Sequence, residues 1–107
     1  MINEYGADLD RNGYAPSIIA RTETRCFLCG CSVEKLDRHE IFHGAYRQKS
    51  KRLGIWVPLC HNRCHLGGAH KNAQIDLLLK KIAQEAAMTA YGLTTEGFIN
   101  LFGKNYL

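Results

Sequence analysis

The sequence predicts a small α+β domain: a two-stranded hairpin stapled by zinc and followed by a helix, with a further short helix towards the C-terminus and an irregular N-terminal arm. Three observations carry this expectation. Four cysteines form a Cys26-x2-Cys29 pair and a Cys60-x3-Cys64 pair separated by thirty residues. Two short β-rich runs lie between the pairs, one around Ile41 and one at 55–59. From Asn72 onward, apolar residues recur at helical spacing. The 107 residues divide as one domain, with the arm at 1–23, the zinc-bound core at 24–71 and the C-terminal helices at 72–107. A chain this short buries a modest core, so a metal staple is a natural supplement.

The arm comes first. Residues 1–22 show no clear period and carry turn signals at Tyr5-Gly6, Asn12-Gly13 and Pro16; Ser17–Ala20 reads as a short strand or a helical turn. No apolar run approaches the roughly 18 residues of a membrane span, and the first residues lack the basic-then-apolar layout of a signal peptide. A cytoplasmic location with no membrane partner is therefore expected. That compartment is reducing and the cysteine count is odd, at five, so metal ligation is favoured over disulfides.

Cys26-x2-Cys29-Gly30 has the form of a zinc knuckle: two thiolates can reach one ion while the glycine lets the backbone turn tightly. Cys60-x3-Cys64 supplies the other half of a four-thiolate site, with Cys31 as an alternative to Cys29 or a partner to a histidine. Between the pairs, Leu36 to Ile41 alternates as a strand ending at Gly44, and Ala45–Leu53 reads as a basic, polar loop before the turn residue Gly54. Ile55–Leu59 is β-rich and broken by Pro58, so it is placed as an edge strand or at a strand's final position. Trp56 is assigned to the core.

Ile75, Leu78, Leu79, Ile82, Ala86 and Ala90 then mark one face of an amphipathic helix that stops at Gly92. Thr94 or Thr95 caps a second helix, Glu96 to Phe102, and the tail 103–107 is aromatic enough to fold back on the core.

Formal charge is only +4, but it is unevenly spread. Between Lys35 and Lys71 there are eight Lys/Arg against Asp37 and Glu40. Such a stretch favours phosphate contacts, and Arg38, Arg47, Lys49, Lys51 and Arg52 are the candidate phosphate-binding cations. All five histidines fall in the same region. His39 on the first strand, with His65 and His70 where the helix begins, can hold a divalent ion that keeps positions open for a phosphate oxygen. A nearby base would have to activate water. His61, inside the Cys60-x3-Cys64 loop, is expected to be solvated or to support a ligand from behind.

These residues resemble the HNH (ββα-metal) nuclease superfamily, and in particular small HNH-like proteins of phages and prophages. The likeness rests on Cys26-x2-Cys29, His39-Glu40-Ile41-Phe42, Leu59-Cys60-x3-Cys64-His65 with the helix after it, and the ending Phe98-Ile99-x2-Phe102-Gly103-Lys104-Asn105-Tyr106-Leu107; it spans about residues 24–107. It implies a Mg2+- or Mn2+-dependent DNA endonuclease with a structural zinc and no organic cofactor, acting in a bacterial host cell. Little sequence specificity is expected, with a possible taste for nicked, branched or single-stranded DNA. Aligned on Ile41, the family's metal ligand falls on His39 and its base on Glu40, a departure from the usual histidine that makes His43 the substitute base. The middle asparagine that orients the base would fall near Gly54 or Ile55, where there is none; Asn62 is the nearest amide. A non-catalytic zinc module that binds DNA or a protein on the same scaffold is the alternative. One chain offers one candidate site, so cutting both strands takes a dimer or two successive events.

Overall fold

Strands β1 (Leu36–Glu40) and β2 (Trp56–Cys60) pair antiparallel, with Leu36 opposite Cys60 and Glu40 opposite Trp56. They form the only sheet in a computed structural model that describes all of residues 1–107. Strand alternation sets Asp37 and His39 on one face of the ribbon and Leu36, Arg38 and Glu40 on the other. The expected hairpin and helices are present, and this small α+β architecture agrees with the sequence reading.

β1 stops at Glu40, four residues before the expected end at Gly44. Ile41 N still reaches Ile55 O at 3.3 Å, but Phe42 N turns to the Ser50 hydroxyl at 3.3 Å instead of a strand partner, and the ladder ends there. The basic loop is not a loop: a 3-10 turn at Gly44–Tyr46 leads into α1 (Arg47–Arg52). Its residues favour helix by propensity but carry no apolar stripe, which hides the helix from periodicity. Ser50 is the one buried residue of α1; its hydroxyl donates to Ile55 O and accepts from Phe42 N, locking the helix to both strand ends.

Pro58 lies within β2, not at its end. A two-stranded ribbon leaves one side of each strand without a ladder partner, so a missing N–H is tolerated there. The Pro58 carbonyl is used from outside by Phe27 N at 2.8 Å, which ties the first cysteine pair to the ribbon.

The arm packs along the hairpin by directed bonds. Trp56 Nε1 donates to Ala15 O at 2.8 Å, Ser17 Oγ donates to Trp56 O at 2.7 Å, and Ile18 N reaches Gly54 O at 2.9 Å. Ser17–Ala20 is thus neither strand nor helical turn. Gly54 has φ +72°, and a Cβ there would come within 2.2 Å of Pro16 O, so the arm can close over the hairpin only at a glycine.

A π-helical segment, His61–Ala69, follows β2 and was not foreseen. After it, α2 (Ala73–Tyr91) starts at Asn72, whose side chain accepts from Gln74 N and Ile75 N, and stops at Gly92 as expected. Its buried face is Leu79, Ala83, Gln84 and Ala87; Leu78, assigned to the apolar stripe, is 51% exposed. α3 (Thr95–Phe102) is capped by Thr94, which accepts from Gly97 N. Phe98 and Phe102 pack on Phe42, with ring centroids 5.7 and 4.6 Å away. The tail does fold back: buried Gln84 holds Asn105 Oδ1 at 2.8 Å and Tyr106 N at 2.7 Å. No helix is long and apolar enough to cross a membrane.

Candidate functional site

Two clusters of metal-ligating side chains flank the ribbon. Cys26, Cys29, Cys60 and Cys64 bring their sulfurs within 4.8 Å of one another. Cys29 Sγ and Cys60 Sγ are 3.8 Å apart, far beyond a disulfide bond and equal to the roughly 3.8 Å edge of a tetrahedron with 2.3 Å zinc–sulfur bonds. Four thiols so gathered can hold a metal ion such as zinc. Cys31 is not in this group; it gathers with Glu34 and Cys60 instead, so Cys29 is the ligand candidate of the first pair. Backbone N–H donation from Cys31 and the Arg63 guanidinium, 3.2 Å from Cys29 Sγ, lower the Cys29 thiol to about 6, which favours the thiolate a metal requires. Burial pushes Cys64 the other way.

The second cluster is made of three imidazoles from two elements. His39 comes from β1, His65 from the π-helical segment and His70 from its end; one ring nitrogen of each lies within 4.8 Å of the others. His39 is 1% exposed, and its Nε2 is a buried polar atom with no hydrogen-bond partner. Leaving such an atom unpaired costs about 1–3 kcal/mol, a cost that a bound cation would remove. Burial first, then the neighbouring imidazoles, hold His39 down to about 3, so it is neutral and keeps a lone pair.

Asp37 supports this set from behind. Its Oδ2 accepts from His65 Nδ1 at 2.8 Å and from His61 Nδ1 at 2.6 Å. Burial alone would raise the Asp37 carboxyl, but these two hydrogen bonds outweigh it and lower it. A proton on His65 Nδ1 leaves Nε2 as the lone pair, the tautomer a metal ligand needs. His65 Nε2 faces His70 Nε2 at 2.9 Å.

The π-helical register makes that approach possible. His70 N bonds to His65 O, an i to i+5 step, whereas in an α-helix positions five apart are separated by about 140° around the axis. The wide turn brings the two rings to 4.5 Å between centroids. It also presses Gly67 against the turn before it: a Cβ there would lie 2.8 Å from Asn62 O. Gly67-Gly68 was the available signal for this close approach.

The histidines open into the largest cleft, about 740 Å³, which Arg38, Arg47 and Lys51 also line. Lys49 and Arg52 do not; they are spent on Leu101 O (3.0 Å) and on the Glu4 carboxylate. Even the lining cations have protein partners. Arg38 meets Asp10 at 2.7 Å and lies over the Tyr14 and Trp56 rings, while Arg47 Nε donates to Glu40 at 2.6 Å. Glu40, a candidate base, is therefore tied to Arg47 on the ribbon face opposite His39. His43, the other candidate, has its ring 5.2 Å from His39 and its Nε2 3.9 Å from Asp76 Oδ1. Burial, then Lys80, lower the His43 imidazole against the opposing pull of Asp76. Asn62 donates its backbone N–H to Glu34. Sequence reasoning missed Asp37 and Asp76 because neither sits at a recognisable spacing from the histidines it meets.

Compared with protein-family models, with curated proteins and with solved structures, the chain finds no match.

Proposed function

We propose that this protein is a metal-dependent endonuclease that hydrolyses DNA phosphodiesters at the His39–His65–His70 cluster, with a zinc ion in the four-cysteine site as its staple. The observation that carries the reading is the buried, unpartnered Nε2 of His39 beside two other imidazoles at a cleft lined by cations. Resemblance of the surrounding residues to the HNH superfamily supports the same chemistry. A divalent ion held there supplies Lewis-acid polarisation of a phosphate and neutralises charge on the leaving oxygen.

The protein's own share is orientation. Asp37 holds His65 in one tautomer, the π-helical turn aligns His70 beside it, and β1 presents His39 from a wall that excludes water. Three imidazoles suit Mn2+ or Zn2+ better than Mg2+, a hard ion that takes oxygen ligands. Of the two ions expected for cleavage, Mn2+ is therefore the one this donor set favours. Arg38, Arg47 and Lys51 would meet phosphates by exchanging their present carboxylate and aromatic partners for the nucleic-acid backbone, contacts that position without reading sequence. His43 rather than Glu40 is the base, because Glu40 lies on the ribbon face opposite His39 while the His43 ring stands 5.2 Å from the His39 ring.

Supercoiled plasmid and a four-way junction, incubated with zinc-loaded protein and Mn2+, Mg2+ or EDTA, test this reading. Nicking should require the added ion, proceed better with Mn2+, and vanish in His39→Ala while zinc content and circular dichroism persist. Equal inertness of wild type and variant, with salt-sensitive DNA binding retained, would instead favour a non-catalytic zinc module.

A further inference from the structure

The site described so far lacks one part: a group that orients the base. A base histidine needs one nitrogen bare towards water and the other held by a partner that fixes the tautomer and stabilises the imidazolium. No asparagine stands where the resemblance would place it. The structure supplies a different residue from a different element.

We propose that Asp76, in the first turn of α2, is the positioning residue for His43. Three observations carry this. Asp76 Oδ1 is the carboxylate oxygen nearest the ring, 3.9 Å from His43 Nε2. The other oxygen, Oδ2, is held by Lys80 Nζ at 2.9 Å, one helical turn on, which leaves Oδ1 for the imidazole. The ring itself stands at the rim of the histidine cluster, with centroids 5.2 Å from His39 and 5.9 Å from His70, and its side chain is 43% exposed, so water reaches it.

The distance of 3.9 Å exceeds a direct hydrogen bond. Catalytic pairs are often loose before substrate binds, and one bridging water spans such a gap. The proposal rests on the nuclease reading above. In the step it describes, Nε2–H points at Asp76 and Nδ1 carries the lone pair. A water proton passes to Nδ1 as the water oxygen bonds to phosphorus. The bond from phosphorus to the leaving oxygen breaks with its electron pair, and that oxygen takes a proton from solvent. Asp76 touches no reacting atom; it acts through His43.

The test compares full-length, zinc-loaded wild type with Asp76→Asn, Asp76→Glu, His43→Gln and the His43→Gln/Asp76→Asn double variant. Cleavage under saturating Mn2+ gives kcat and KM, titration of Mn2+ gives its affinity, and nitrogen NMR of the imidazoles gives the His43 tautomer. Asp76→Asn should lower kcat by roughly 10- to 100-fold with KM and Mn2+ affinity within about twofold of wild type. It should also shift the His43 tautomer. The double variant should be no slower than His43→Gln, and Asp76→Glu should recover part of the loss. Multiplicative losses in the double variant, an unchanged tautomer, or wild-type kcat in Asp76→Asn would overturn the assignment while leaving the nuclease reading intact. A fall in Mn2+ affinity would also overturn it, making Asp76 a ligand alongside His39 and His43, whose donor atoms also lie within 4.8 Å of its own. A wild type that never cuts DNA would overturn both.

Discussion

The cysteine and histidine clusters each take one ligand from the hairpin yet differ in how they close. Four sulfurs face one another, so an ion among them has every tetrahedral position taken by protein. The three imidazoles leave at least one position open to a cleft, and a carboxylate behind His65 holds its tautomer. The comparison teaches that closure follows from how many ligands the converging segments bring. Two short cysteine pairs, each local in sequence, complete a closed site; single histidines from a strand, the interior of a wide helical turn and that turn's end make an open one. The first arrangement fits a staple and the second fits the chemistry proposed above.

The largest effect should come from breaking the closed site. Cys60→Ser is expected to abolish binding of one zinc per chain and the cooperative melt with it, because structural zinc in small domains contributes on the order of 10 kcal/mol to folding. Cys31→Ser should keep both. Metal analysis and thermal melting check the pair, and equal loss in the two variants would mean that Cys31 is a ligand after all.

The open site should behave in the opposite way. His39→Leu replaces a buried, unpartnered imidazole with a side chain that has nothing to pair, so apo-protein stability should change by no more than about 1–2 kcal/mol or improve. Mn2+ binding at the histidines and metal-dependent nicking should be lost together. Denaturant melts beside Mn2+ titration separate the two effects. A variant that unfolds would show His39 to be structural.

Gly67→Ala tests the register that joins His65 to His70. Its Cβ would meet Asn62 O at 2.8 Å, and overpacking of this kind costs about 1–3 kcal/mol. Mn2+ affinity should fall more than that of Ala69→Gly, a change in the same segment that adds no atoms.

Acid should weaken the apo protein through His39. Its folded pKa is about 3 against 6.5 for the free side chain, so between these values the unfolded state binds the additional proton. Stability attributable to His39 is intact above pH 6.5 and declines as pH falls towards 3, by at most about 1.4 kcal/mol per unit. His39→Leu should flatten that slope in urea melts performed in EDTA. The smallest effect should be Arg38→Ala, which under the proposed function reduces the salt dependence of DNA binding by about one phosphate contact.

Legibility of the molecule followed locality. The cap at Thr94, the stop at Gly92 and the stripe through Ile75, Leu79 and Ile82 were readable because helix ends and helical periods are local physics. α1 was missed because a helix of Arg, Gln, Lys and Ser that buries only Ser50 leaves no period to read. Leu78 was misassigned because a stripe read from sequence is wider than the groove that receives it.

By itself the sequence determined which residues could bind metal, and it paired the cysteines, since short spacings fix where neighbouring thiols can reach. It also determined the hairpin, the two C-terminal helices and the concentration of positive charge. Only the tertiary structure decided that Cys29 rather than Cys31 joins the cluster and that Glu40 is held by Arg47. Only it brought Asp37 behind His65 and Asp76 near His43. Those choices depend on strand register and on a five-residue helical step, which set side chains far apart in sequence at specific distances and angles that composition and spacing do not encode.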